Sequence, residues 1–251
     1  MDLPAVTARV LARLDRATRD MREFIEALLF LSREDAGGGR TRVLLEGDLT
    51  IDLRGVPGVP RLLAGTVAPM RTTTGWLSTA EDRGETHVWL VHDHGGAPSR
   101  VTAGPITVKS MHAANGTTVY CAARVDGMTD VYSIDPSGTT RQLTTFGEQY
   151  RSVVQPLTWE RFAVPSTDGT VEIDAWIMRP AGFDPSRTYP VMLNVHGGPH
   201  TQYGETFFDE AQMQAAAGFV VLMSNPRGSS GRHQGWGQAI LGTKHHVHPG
   251  S

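Results

Sequence analysis

Short apolar runs broken by glycine turns fill residues 75–147, and the pattern occurs twice. Gly84-Glu85-Thr86-His87-Val88-Trp89-Leu90-Val91 superposes on Gly127-Met128-Thr129-Asp130-Val131-Tyr132-Ser133-Ile134 at a constant offset of 43 residues. Each copy holds an apolar run (Trp76 to Thr79; Val119 to Ala123), a glycine turn, a second run and a second glycine turn. The copies close on Arg100-Val101-Thr102 and Gln142-Leu143-Thr144. Strands this short at this period fit β-propeller blades of about 40 to 50 residues better than any helical repeat. Residues 71–150 are therefore expected to form about two blades, too few to close a ring.

After Pro156 the periodicity changes. Trp159 to Val164 and Val171 to Met178 read as strands joined by Ser166-Thr167-Asp168-Gly169, a hairpin turn signal. Tyr189 to Val195 is a continuous apolar run of the kind buried on both faces of a sheet, Glu205 to Ala217 reads as a helix ended by Gly218, and Phe219 to Met223 reads as the next strand. Strand, helix and strand in so short a span make a βαβ unit, which requires parallel pairing and a right-handed crossover. Upstream, Leu3, Val6, Val10, Leu14, Met21, Phe24, Ile25 and Leu28 recur at helical spacing. Frequent Gly and Pro over residues 34–69 leave room only for short strands such as Arg42 to Leu45 and Thr50 to Leu53. Residues 1–70 are thus a helical N-terminus followed by short strands, with no fold assigned.

Composition narrows the classes of function. The 251 residues carry a net charge of −3 with the basic residues scattered, so neither a nucleic acid nor an anionic membrane finds an electrostatic footprint. The single cysteine, Cys121, sits in an apolar run and reads as a half-buried strand residue. The apolar cluster Ala27 to Leu31 is too short to span a bilayer, and Asp2, Asp15 and Asp20 precede it where a secretory signal carries positive charge. The expected location is the cytoplasm.

The candidate chemistry lies at the ends of the two parallel strands. His196-Gly197-Gly198-Pro199 follows the first, and Asn225-Pro226-Arg227-Gly228-Ser229-Ser230-Gly231 follows the second. Carboxyl ends of parallel strands are where open α/β sheets place their sites. Adjacent glycines there let the backbone turn sharply and present unobstructed N–H groups, as an oxyanion hole requires. Arg227 either holds a substrate carbonyl or carboxylate near the cleft or ties its loop together through a protein carboxylate. Ser229 and Ser230 lie outside any Gly-x-Ser-x-Gly pattern and read as loop hydroxyls.

The run from Tyr189 through His196-Gly197-Gly198-Pro199-His200, the helix end Ala217-Gly218-Phe219 and the run Asn225 to Gly231 resemble the prolyl oligopeptidase family of serine peptidases, in particular its acylaminoacyl-peptidase and dipeptidyl-peptidase-like branch. The likeness covers roughly residues 75–242. It implies a β-propeller segment followed by the N-terminal part of an α/β-hydrolase domain, residues 155–242, with an incomplete parallel sheet. It also implies that the Gly198 N–H is an oxyanion donor, that Gly197 shapes the turn, that His196 supports the loop, and that the substrate is a peptide or acyl-peptide. No cofactor is implied.

The catalytic serine, acid and histidine of that family follow in this order along the chain, and no Gly-x-Ser-x-Gly occurs in the sequence. Residues 243–251 are unlike the family and read as an unrelated tail, the scar of a truncation or frameshift. Its His245, His246 and His248 are a short histidine-rich terminus that binds metal adventitiously. Three readings follow: a peptidase by ancestry that is inactive alone, a non-catalytic binding protein, or one chain of a split enzyme. In each, the strand Val191 to Val195 is expected to lie open along one edge and to favour self-association.

Overall fold

The computed structural model describes residues 50–51, 69–197 and 201–240. The helical stripe of residues 3–31, the strand expected at Arg42 to Leu45, Gly198 and the histidine-rich tail lie outside the described residues. Strands β1 (Thr50–Ile51), β2 (Met70–Arg71), β3 (Gly75–Asp82), β4 (Glu85–His92) and β5 (Ser99–Arg100) come first. They are followed by β6 (Thr107–Ala114), β7 (Thr117–Arg124), β8 (Gly127–Ile134) and β9 (Thr140–Gln142). β2-β3-β4-β5 and β6-β7-β8-β9 are two antiparallel meanders joined at one parallel bridge, Thr86 to Thr107. Leu77, Val88, Ile106, Val108, Tyr120 and Ile134 form one buried cluster shared by both.

The repeat read from the sequence has a bonding counterpart. The Val88 N–H donates to Thr102 Oγ1 at 3.0 Å, and 43 residues later the Val131 N–H donates to Thr144 Oγ1 at 2.9 Å. The residue before each valine completes the unit: His87 Nδ1 lies 3.0 Å from Thr102 Oγ1, and Thr144 Oγ1 donates to Asp130 Oδ1 at 2.8 Å. A closing threonine thus pins the last strand of each copy to the strand before it.

Asp130 also nucleates a helix that the sequence pattern does not announce, α1 (Phe146–Val153). Its carboxylate accepts the Phe146 N–H at 2.7 Å and the Gly147 N–H at 3.1 Å. Free N–H groups at a helix start need such acceptors, and here the acceptor comes from β8 rather than from a local cap.

The second sheet contains β10 (Trp159–Pro165), β11 (Glu172–Met178), β12 (Val191–Asn194) and β13 (Val220–Asn225) in the order β10-β11-β13-β12, and α2 (Asp209–Ala216) joins the last two strands in sequence. β12 and β13 pair in parallel, whereas β10, β11 and β13 pair antiparallel. A short helix, α3 (Gln234–Gln238), follows the loop after β13. Trp176, Met178, Val221 and Met223 of the sheet pack on Ala211 and Ala215 of α2. Asn194 and Gln214 exchange side-chain amide bonds of 2.9 and 3.2 Å, fixing α2 over β12. β12, expected from its apolar run to be buried on both faces, is instead the edge strand of this sheet among the described residues, with Val191 58% and Leu193 60% exposed. The reason is that it has a strand neighbour on one side only, while α2 covers the opposite face through Asn194.

The helix begins at Asp209, four residues later than the pattern from Glu205 predicts, because the backbone of residue 205 is committed elsewhere. Its N–H donates to the Gly84 carbonyl at 2.7 Å, its carbonyl accepts from Thr107 Oγ1 at 2.9 Å, and its carboxylate accepts from Trp176 Nε1 at 3.0 Å. These bonds join the strand-end loop to both meanders. Phe207 adds an edge-to-face contact with Tyr150 of α1, with ring centroids 5.5 Å apart.

The tightest part of this junction is the β3–β4 turn. Gly84 has φ +90°, and a Cβ there would lie 2.4 Å from the Trp176 ring. Gly204 approaches from the other side, where a Cβ would lie 1.8 Å from the Gly84 carbonyl oxygen. Beside them Asp174 of β11, buried at 3% exposure, accepts from Arg83, Arg161 and Arg232. Burial alone would push the Asp174 carboxyl up. The hydrogen bonds from Arg83, Arg232 and Arg161 and the charge of Arg232 outweigh it and hold the group below the ordinary carboxylate range.

Two outcomes follow. Gly84→Ala is expected to lower stability by about 2 kcal/mol or more, since it combines ring overlap with an unfavourable φ. Gly95→Ala, at φ +76° with open space around it, isolates the φ contribution, expected at about 1 kcal/mol; equal denaturation midpoints for the two variants would contradict the packing account. For Asp174 the folded-state pKa is depressed, so its stabilisation is full above the unfolded value of about 3.9. It is lost as pH falls through the folded value, so the stability gap between wild type and Asp174→Asn narrows below about pH 4.

Candidate functional site at the strand ends

The parallel pair β12 and β13 is followed by residues 195–197 and 201–208 on one side and 226–233 on the other, and bonds between them make one surface. Asn225 at the end of β13 is the central clamp. Its Oδ1 accepts the Tyr203 N–H and its Nδ2 donates to the Tyr203 carbonyl, both at 2.8 Å. An amide side chain suits this place because it offers a donor and an acceptor to one backbone residue. The Ser230 N–H donates to the Thr201 carbonyl at 3.0 Å.

His196 joins the same surface. Its Nδ1 lies 2.9 Å from the Gly197 carbonyl oxygen and its Nε2 lies 3.0 Å from Ser229 Oγ. A carbonyl only accepts, so the network assigns the proton to Nδ1, and Nε2 then accepts from the Ser229 hydroxyl. Thr201 Oγ1 also donates to the Gly197 carbonyl, at 2.6 Å. Tyr203 meets the imidazole edge-to-face with centroids 5.2 Å apart. Burial, then the charge of Glu210, pushes the Tyr203 phenol up to about 12, so it stays neutral beside His196.

Gly197 is exposed, and a Cβ built on it would meet nothing within 4 Å. Its glycine character therefore does not come from crowding within the described residues. Arg227 turns away from this surface toward the β10–β11 hairpin, where Nη1 lies 2.8 Å from Asp168 Oδ2 and Nη2 also reaches Thr170 Oγ1. Bonds from Arg227, Ser166 and Thr170 hold the Asp168 carboxyl far below its ordinary range. Of the two roles open to Arg227 on sequence grounds, the loop tie is the one its contacts describe. Ser229 is buried at 1% exposure and Ser230 at 5%.

Several participants carry no sequence signal. Gln202 is fully buried, accepts the Gly84 N–H at 2.8 Å and donates to the Glu85 carbonyl at 3.2 Å. Asp174 and Arg232 meet across 58 residues of chain, and Arg232 also stacks over the Trp236 ring at 4.4 Å. Only the strand-end position of Asn225-Pro-Arg-Gly hinted at such a network. A cavity of about 380 Å³ opens beside the junction, lined by Arg83, Glu85, Arg161, Phe162 and Asp174 among others. Among the described residues, no group of three His, Cys, Asp or Glu side chains is placed to hold a metal, and no helix is long and apolar enough to cross a membrane.

No family model matches the chain. It is 31% identical over 173 residues to an uncharacterized peptidase, YuxL, of Bacillus subtilis (strain 168), an alignment covering 68% of this chain and 26% of that protein. Among solved structures, the Pyrococcus horikoshii acylaminoacyl peptidase superposes with a TM-score of 0.61 at 25% identity, covering 68% of this chain and 26% of the other. An acylaminoacyl peptidase in complex with Z-Gly-Gly-Phe-chloromethyl ketone gives 0.62 at 25% identity, covering 69% and 27%. The chain thus spans about a quarter of the length of these three relatives. On these matches the chain belongs to the prolyl oligopeptidase family of serine peptidases.

Proposed function

We propose that this chain supplies the oxyanion side of a serine peptidase that acts on peptides or acyl-peptides. In this reading residues 71–150 are two propeller blades and residues 155–242 open an α/β-hydrolase domain whose third strand is β12. The observation that carries it is the fixed peptide carbonyl of Gly197, which receives Thr201 Oγ1 at 2.6 Å and His196 Nδ1 at 2.9 Å. The family resemblance assigns the role of oxyanion donor to the next residue along this loop, Gly198. A fixed donor in the loop after the third strand is one of the two that stabilise the tetrahedral intermediate in this fold.

His196 is a positioning residue here, not the general base. Its Nε2 is taken by Ser229, a buried hydroxyl, and its Nδ1 serves the loop carbonyl. Losing one oxyanion donor costs about 10² to 10³ in turnover, whereas losing a whole triad costs on the order of 10⁶. Within this reading the described residues contribute the smaller of these two effects, the oxyanion side of the reaction.

The open edge of β12 favours a second reading, in which a further strand from another chain completes the sheet, as in a split enzyme or a binding protein. Its backbone edge and the exposed Val191 and Leu193 suit strand pairing. Leu193→Lys is then expected to reduce concentration-dependent association in sedimentation velocity, and unchanged association would remove β12 from the interface. A fluorophosphonate probe tests the catalytic reading: the isolated chain should stay unlabelled. Covalent labelling of Ser229 or Ser230 would overturn the assignment of both as loop hydroxyls.

A further inference from the structure

We infer that Arg83, on the β3–β4 turn of the first meander, is a positioning residue for both strand-end loops. The turn reaches out of its own sheet and lodges between them. Its backbone N–H donates to the Gly231 carbonyl at 2.7 Å, in the loop after β13. The neighbouring Gly84 donates to Gln202 Oε1 at 2.8 Å and accepts from the Glu205 N–H at 2.7 Å, both in the loop after β12. Meanwhile the guanidinium grips Asp174 of β11 with Nε at 3.2 Å and Nη2 at 2.9 Å. One dipeptide therefore fixes three segments that have no covalent reason to hold their spacing.

The backbone of Arg83 gives an independent reason to regard its side chain as selected. It lies at φ +50° with Gly84 at φ +90°, the left-handed pair of a two-residue hairpin turn. Such turns favour Asn-Gly, and this chain uses that pair at the β6–β7 turn, where Asn115 has φ +51° and Gly116 φ +77°. Arginine is a poor choice for that conformation. Its presence breaks the local turn preference where the fork-shaped guanidinium meets a buried carboxylate, as expected when a long-range contact overrides turn chemistry.

The catalytic consequence rests on reading the strand-end loops as the oxyanion side; the positioning itself does not. The experiment therefore uses no substrate and reads amide hydrogen exchange in the full chain. Arg83→Asn installs the preferred turn residue and removes the fork. If Arg83 served only its hairpin, the variant would be as protected as wild type throughout, or more so. We expect instead that β3 and β4 ladder amides keep their protection while the Ser230 and Glu205 amides exchange about tenfold faster or more. Arg83→Lys keeps the charge without the paired geometry and should fall between the two. Unchanged exchange at Ser230 and Glu205 in Arg83→Asn would overturn the inference. Should that variant fail to fold, wild-type exchange at the same amides in Arg83→Lys would overturn it equally.

Discussion

The seating of the Arg83-Gly84 turn against Trp176 and Asp174 is the contact on which the rest of the arrangement depends. Trp176 is fully buried at the centre of the second sheet, and its indole N–H is satisfied by Glu205, whose own backbone bonds both meanders. A residue with any side chain at position 84 would be driven into that ring, and one at position 204 into the Gly84 carbonyl. Two glycines therefore permit a backbone-to-backbone approach that no packing of side chains reproduces. The ion pair adds to this approach: Arg83 is half exposed and its attraction is partly screened, but the buried carboxylate it meets would be costly unpaired.

From that contact the geometry of the loops follows in order. Glu205 is pulled into the junction, which delays the start of α2 to Asp209 and leaves residues 201–208 as loop. Along that loop Tyr203 meets Asn225 and Thr201 meets Ser230. Thr201 and His196 then share the Gly197 carbonyl, and Ser229 completes the imidazole. The Gly197 carbonyl is thus fixed by hydroxyl and imidazole hydrogens, anchored in turn to a turn of the first meander.

The elements legible in the sequence were those with local signatures. Hydrophobic alternation and turn residues mark β10 and β11, continuous apolar runs mark β12 and β13, and the repeated glycine turns mark the two meanders. Helix α1 was not legible because its cap is Asp130, a strand residue 16 positions before Phe146. The start of α2 was misplaced because propensity favours helix from Glu205, and tertiary bonds to Gly84 and Trp176 prevail over it. At the site, the order of His196-Gly197 and Asn225-Pro-Arg-Gly along the chain predicted adjacency at the strand ends. Gln202, Asp174 and Arg232 were invisible because their partners lie 118, 91 and 58 residues away in sequence.

A double-mutant cycle on Arg83→Ala and Asp174→Ala, followed by denaturant unfolding, tests the junction most directly. The pair spans two sheets, so any coupling reports contact between them and not stability within either. A coupling of about 1 to 3 kcal/mol is expected for groups in direct contact. Additive effects of the two substitutions would mean that the turn does not hold the second sheet, and the order of dependence from Trp176 to the Gly197 carbonyl would have no anchor.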